Sequence, residues 1–543
     1  MSESMTVGRY LVGRLEQCGL KHVFGIPGDY VLGFYELLMG SSMDVVGTCT
    51  EAAAAFAADA YARVNGLGAV CVTYCVGGLN TINAVAGAYA EKSPLVVISG
   101  SPALRRRIRS PLLHHRVKDF NTQALIFEQV TAATAVLSDP ARAPAQIDQA
   151  LAACLRTKRP VYIELPTDLC DRPCAKPGRL DVSSPPSDET SLGEAVSEAA
   201  QMLRRARRAV VLAGVEIHRF GLQDLLLNLV DRSGYPVAAT LLGKSVISER
   251  HPQYLGVYEG AMGREEVRRA VESADCVLIL GAFMTDINLG VFTAHLDVSR
   301  TINATSEQIA IKHHHFDGVQ LGDFLRALVR QLPRARRRKK PAPAPPARPF
   351  TPRKNRPITV RRFFARMNEF LEDDFVVISD IGDSLFGAAD LTIHRRTEFL
   401  SPAYYTSMGF GIPAALGAQI RNRRLRPIVF VGDGAFQMTG MELSTVVRRG
   451  LNPIVFVLNN RGYTTERFIM DGPFNDIHEW SYQAVTRVLG GGQGLEVRTE
   501  GDLECALARA RAHLEGFSIV NVHLDPYDKS DALVRLASRL ARQ

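Results

Sequence analysis

Short apolar runs recur along the 543-residue chain, each followed by a turn and then a helical alternation of polar and apolar positions. Residues 70–74, 95–99, 210–213, 237–240 and 277–280 are examples, and 376–379, 428–431, 454–458 and 519–522 continue the series. These runs are apolar at both parities, which fits strands covered on both faces. Strands alternating with helices predict an α/β protein built from doubly wound parallel sheets. Two stretches break the pattern. Residues 171–194 are rich in proline, serine and charge, and 334–357 read RARRRKKPAPAPPARPFTPRKNRP, which forms neither a regular helix nor a core. The expected division is three units, 1–175, 190–333 and 358–543, with 334–357 as a basic, proline-rich linker. Their number matches about 100–200 residues per domain.

Composition adds limits. Apolar residues make up 46% and charged residues 22%, an ordinary globular balance that excludes a disordered or fibrous chain. No apolar stretch approaches the roughly 18 residues of a membrane span. The opening MSESMTVGRY has no apolar run of a secretory signal. The expectation is a soluble, cytoplasmic protein with no membrane partner. The formal net charge of +8 raises nucleic acid as a partner, but much of the excess sits in the linker, where a solvated, extended segment is the simpler reading. Nine cysteines lack a repeating spacing, and Cys170 and Cys174 have no second pair to complete a zinc site. Reduced thiols are expected. His313-His314-His315 follows the strand-like 301–304 in the middle unit, and metal binding there is disfavoured.

The strongest chemical signal is IVFVGDGAFQMTGMELSTVVRRG followed by IVFVLNNRGYTTER. One strand ends at Gly432-Asp433-Gly434, with a helix expected over 435–449; the next ends at Asn459-Asn460. Asp433 and Asn460 are 27 residues apart, and strand C-termini of a parallel sheet converge on one edge. A carboxylate, an amide oxygen and a backbone carbonyl of the Arg461-Gly462 turn are hard ligands suited to Mg²⁺, which keeps other positions for phosphate oxygens and water. The helix start offers N–H groups to the same anion. Either motif alone reads as a strand-ending turn; together they predict a metal-bridged diphosphate clamp. GxxxxGK[ST] is absent, which argues against a P-loop.

GDG followed by NN resembles the metal and diphosphate motif of thiamine-diphosphate enzymes. FGIPGDYVLGFYELL, TEAAAAFAADAYAR, LLHHRVKDFNTQ, SDIGDSLFGA, YYTSMGFGIPAALGA and NNRGYTTE are similar to segments of the pyruvate, indolepyruvate and phenylpyruvate decarboxylases. The resemblance covers nearly the whole chain. It implies a pyrimidine-binding first unit, a middle unit and a diphosphate-binding last unit, with thiamine diphosphate and Mg²⁺ as cofactors. Glu51 would hydrogen-bond the aminopyrimidine, from an alanine-rich and poorly solvating helix. His114 and His115 would shuttle protons, and such a pair is lacking in acetolactate synthases. Asp29 would assist late proton transfer, and Glu466 would sit near the leaving carboxylate. Met408 would prop the cofactor, and the Thr406 carbonyl would accept from its amino group. Asp383, Ser384, Gly432, Asp433, Gly434, Ala435 and Asn460 would surround the cofactor, with Asp433, Asn460 and Gly462 as metal ligands.

Three positions depart from the commonest pattern. Ala435 replaces a frequent serine, Asp383 stands where the yeast-type enzymes have threonine, and Arg116-Val117-Lys118-Asp119 is more charged than the usual segment. With Arg105, Arg106, Arg107 and Arg109 the last of these makes a strongly basic loop. The resemblance places Phe292, Leu385 and Thr465 near the substrate side chain. The implied reaction is non-oxidative decarboxylation of a 2-oxo acid to an aldehyde and CO₂, with an aromatic or bulky acid such as phenylpyruvate or indolepyruvate favoured. Pyruvate or branched-chain oxo acids, and carboligation as in the acetolactate synthases, remain as alternatives. The family's sites form between subunits, which implies at least a homodimer, commonly a homotetramer.

Overall fold

The computed structural model describes residues 4–332, 334, 349–394 and 399–540, with side chains to residue 537. It contains three sheets. The N-terminal sheet has six parallel strands in the order 44–47, 22–25, 68–72, 95–101, 161–166, 133–136. The C-terminal sheet repeats that order with 399–400, 375–379, 426–432, 454–459, 518–523 and 493–497, again all parallel. Seven of the nine apolar runs predicted above fall within a strand, and the other two, 70–74 and 237–240, begin in strands that end at Val72 and Ala239. Their burial on both faces is the reason: strand Leu95–Ser101, for example, is buried at every position.

The middle sheet is parallel except at one edge. It has seven strands, ordered 314–316, 309–311, 301–304, 276–280, 209–213, 237–239, 254–257, and 309–311 pairs antiparallel with both 314–316 and 301–304. Lys312, at φ 54°, and His313 close a tight hairpin between 309–311 and 314–316. The three histidines therefore lie at a sheet edge. His314 pairs with Glu198 at 2.9 Å, His315 meets Gln308 at 2.8 Å, and among the described residues they join no metal-competent cluster. Residues 335–348 of the expected linker lie outside the described residues.

The alanine-rich helix Glu51–Asn65 shows how the outer units meet. Thr50 caps it, accepting from the Ala53 N–H at 3.1 Å, and Gly66 ends it in the left-handed region at φ 91°. Its small side chains let it lie against helix Gly411–Arg421 almost backbone to backbone. A Cβ on Gly417 would stand 2.0 Å from the Ala57 carbonyl oxygen. Beneath this contact Arg63 is fully buried between Asp59 and Glu91, each at 2.8 Å, so the charge is paired on both sides.

Candidate active site

Both outer sheets reverse direction of winding between their second and third strands in space. Ligands of open α/β sheets bind outside the strand C-termini at such a reversal. In the C-terminal sheet the flanking loops are 380–383, after strand Phe375–Ser379, and 432–435, after strand Arg426–Gly432. They border a cavity of about 280 Å³. Asp383, Ser384, Met408, Gly432, Asp433, Gly434, Ala435, Asn460, Gly462, Thr465 and Glu466 all line it.

Asp433 is buried and held by backbone donors. Gly434 N–H reaches one carboxylate oxygen at 2.8 Å, and Arg461 and Gly462 N–H reach the other at 2.6 and 3.3 Å. Burial pushes its pKa up to about 6 against those three bonds. Asn460 donates its amide N–H to Thr464, while its side-chain oxygen is buried and accepts nothing. An orphaned acceptor and a fixed carboxylate lining one cavity are a donor set that fits a hard cation. The glycines divide by role. A Cβ on Gly434 would meet the Tyr463 ring at 2.5 Å, and one on Gly462 would meet the Asn475 carbonyl oxygen at 2.1 Å; a Cβ on Gly432 would meet no atom within 4 Å. Gly432 thus opens the cavity, whereas the other two permit close packing of its wall. These residues fit a diphosphate with its cation.

The helix after GDG is shorter than expected. It runs Asp433–Thr439, yields to a 3₁₀ turn at Gly440–Glu442 and resumes over Leu443–Arg448. Phe436 fills the space a side chain at Gly440 would need, 2.5 Å from its ring. The sequence reading missed Asp380. It is fully buried and accepts from Ile381, Gly409 and Gly411 N–H at 3.0, 3.2 and 2.8 Å, which ties the Met408 loop to the sheet. Burial also pushes Asp380 up to about 6. The same is true of Asp383, which accepts from Ser530 N–H at 2.9 Å and leaves its other oxygen buried and unpartnered.

A second cluster lies in the N-terminal unit. Asp29 meets His114 Nε2 at 2.6 Å, Tyr30 stacks on the His114 ring with centroids 4.7 Å apart, and His115 sits edge-on to it at 4.8 Å. His115 has φ 67° and a buried Nδ1 without a partner. Glu51 occupies the first turn of its helix and accepts from Asn80 at 2.7 Å. None of Asp29, Tyr30, Glu51, His114 and His115 lines the 280 Å³ cavity of the same chain. Three other expected residues also stand away from it. Thr406 is exposed at φ 56°. Phe292 is 73% exposed on a left-handed turn, φ 60°. Leu385 is buried in the core with Phe364 and Met367. The helix Asp383–Ala389 turns Asp383 and Ser384 to the cavity and Leu385 inward, because residues two positions apart face different sides of a helix.

Residues 5–124, 196–332 and 380–522 match the N-terminal TPP binding, central and C-terminal TPP binding domains of the thiamine pyrophosphate enzymes. The chain is 35% identical over 537 residues to an indole-3-pyruvate decarboxylase of Azospirillum brasilense, covering 98% of this chain and 97% of that one. It is 35% identical to pyruvate decarboxylase isozyme 2 of Saccharomyces cerevisiae, over 90% and 89% of the two chains. It is also 35% identical to an alpha-keto-acid decarboxylase of Mycolicibacterium paratuberculosis, over 98% and 96%. The chain belongs to the thiamine-diphosphate-dependent 2-oxo acid decarboxylases. As a member of that family it is a carboxy-lyase that uses thiamine diphosphate and acts on small-molecule 2-oxo acids. No described helix of this decarboxylase is long and apolar enough to cross a membrane, and all nine cysteines are free.

Proposed function

We propose that the enzyme decarboxylates an aromatic or other bulky 2-oxo acid to its aldehyde, with Mg²⁺ as the diphosphate-bridging ion. The observation that carries the ion is the unpartnered Asn460 oxygen beside Asp433. Bound thiamine diphosphate supplies the electron sink for loss of CO₂. Asp433, Asn460 and the Gly462 carbonyl would hold the ion, Gly432 would leave room for the diphosphate while Gly434 packs the cavity wall, and Met408 would border the cofactor. Ala435 offers no hydroxyl where many relatives have one, so backbone donors carry more of that contact. Glu51 would hydrogen-bond the aminopyrimidine and steer its proton. Asp29, His114 and His115 move protons to and from the product side, the histidines being suited to it near neutral pH. Glu466 favours departure of the carboxylate. The small side chain of Thr465 on the cavity wall supports the bulky substrate, as does the name of the Azospirillum relative.

The separation of the two clusters on one chain supports a site shared between subunits, with Glu51 and the histidines of one facing Asp433 and Glu466 of another. We read the assembly as a homodimer at least, most simply a homotetramer, in the cytoplasm. The domains follow the division 1–175, 190–333 and 358–543. A panel of 2-oxo acids with thiamine diphosphate and Mg²⁺, followed by aldehyde release, tests the proposal. Highest kcat/KM is expected for phenylpyruvate or indolepyruvate. Preference for pyruvate would overturn the substrate assignment, and absence of turnover on every member would overturn the reaction.

A further inference from the structure

We infer that the exposed cations of the segment 105–118 form an electrostatic collar that draws the anionic oxo acid toward the paired histidines. This rests on the reading of His114 and His115 as substrate-facing. The segment carries six cations, and the structure divides them into two sets. Arg107 is internal: it donates to Glu164 at 2.8 Å, to Ser101 at 2.5 Å and to the Pro102 carbonyl at 3.0 Å. Arg116 is also internal, donating to the Ser110 and Pro111 carbonyls at 2.6 and 2.7 Å. Both guanidinium groups lie over the Phe120 ring, at 5.7 and 5.0 Å from its centre. These two residues build the loop.

The other four, Arg105, Arg106, Arg109 and Lys118, are exposed, and among the described residues none forms an ion pair. Nearby carboxylates are engaged elsewhere. Asp168 accepts from the Leu104 and Arg105 backbone N–H groups, Asp119 from Asn121 N–H, and Asp29 meets His114. The loop is also fixed. Arg109 and Ser110 are both left-handed, φ 66° and 50°, in a conformation that the Arg116 bonds clamp. Its charge acts on the histidine cluster. Burial and Asp29 raise the Tyr30 pKa and Arg106 opposes them, and Tyr30 is the residue stacked on His114. A chain whose basic excess were merely solubilising would have no reason to clamp a strained loop beside its catalytic histidines.

Fields of this kind raise local anion concentration and association rates by about 10- to 1,000-fold. With Asp29 and Asp119 opposing four cations, we expect no more than the bottom of that range, about 3- to 10-fold in kcat/KM. The test uses full-length enzyme saturated with thiamine diphosphate and Mg²⁺, and the best oxo acid of the panel. Salt is varied from about 0.01 M to 1 M, over which the Debye length falls from about 30 Å to 3 Å. Wild-type kcat/KM should fall with salt through KM. The variant R105Q/R106Q/R109Q/K118Q should start lower and stay flat, with kcat unchanged. A neutral 2-oxo carboxamide, used as a competitive inhibitor, should bind both enzymes equally at all salt concentrations. Arg106→Gln and Arg109→Gln alone should each lose part of the slope, which serves if the fourfold variant folds poorly. Parallel salt slopes in wild type and variants, a change confined to kcat, or an equal loss of carboxamide binding would overturn the collar. Absence of wild-type turnover would instead overturn the proposed function.

Discussion

The GDG and NNRG motifs contain three glycines, and the structure predicts three different outcomes for Gly→Ala. At Gly434 the new methyl would lie 2.5 Å from the Tyr463 ring, where ordinary contact begins at 3.4 Å. The ring must retreat by about 0.9 Å in a packed wall, and overpacking of this kind costs about 1–3 kcal/mol. At Gly462 the obstacle is the Asn475 carbonyl at 2.1 Å, with φ at 152°. Backbone cannot rotate away as a ring can, so the cost lies at or above the top of that range. The turn carrying the Arg461 and Gly462 N–H donors to Asp433 must then move. At Gly432 the site is open and φ is an ordinary −66°, so folding is unaffected while the methyl enters the cavity. Differential scanning fluorimetry without cofactor should show G434A lowered by about 2–12 °C, from roughly 2–4 °C per kcal/mol. G462A should be lowered at least as much, and G432A should match wild type. Titration with thiamine diphosphate in Mg²⁺ should then show weakened binding for G432A despite its unchanged stability. If G432A were destabilised as much as G434A, or bound cofactor as wild type does, the division of roles drawn above would be wrong.

Other consequences are independent of that one. Glu51→Gln should leave the melting temperature and cofactor binding close to wild type while turnover falls by about 10²- to 10⁴-fold, the usual worth of a positioned acid or base; wild-type turnover would refute the role of Glu51. Glu259 is buried with one oxygen unpartnered, and burial, with Asp390 adding and Arg535, Lys244 and Arg264 opposing, pushes its pKa up to about 8. Its folded pKa lies above its unfolded one, so the stability this group contributes is complete below the unfolded value of about 4.5 and is lost as pH rises toward 8. Glu259→Gln should therefore melt like wild type in acid and above it at pH 9, by up to about 5 kcal/mol in stability. An equal offset at both pH values would show that the proton is not involved. Asp380→Ala should displace the Met408 loop, because three N–H groups lose their acceptor; it should raise the KM for cofactor and lower stability by about 2–5 kcal/mol. A variant with wild-type KM would exclude the tether.

What could be read from sequence follows the physics of each feature. Strands buried on both faces leave continuous apolar runs, so all nine runs were visible. The GDG and NNRG motifs were visible because each ends such a run. Asp380 was not, because a buried carboxylate bonded only to backbone N–H groups has no partner residue in the sequence to announce it. Leu385 differs from Asp383 only in helix phase, which depends on where the helix begins. The edge hairpin 309–316 was hidden because its strands have three residues each, too few to show alternation. The break at Gly440 depends on Phe436 folding back over it, a contact that spacing alone does not specify.

The central claim is that Glu51 and Asp433 serve one site from different chains, and subunit complementation tests it most directly. Glu51→Gln and Asp433→Ala enzymes, each nearly inactive, are dissociated, mixed and reassembled. In a mixed pair one site would carry both lesions and the other neither. The account predicts recovery of about one quarter of wild-type activity for statistical remixing of two-fold pairs. Activity no greater than the sum of the two parents, with mixed assemblies demonstrated by mass, would contradict it.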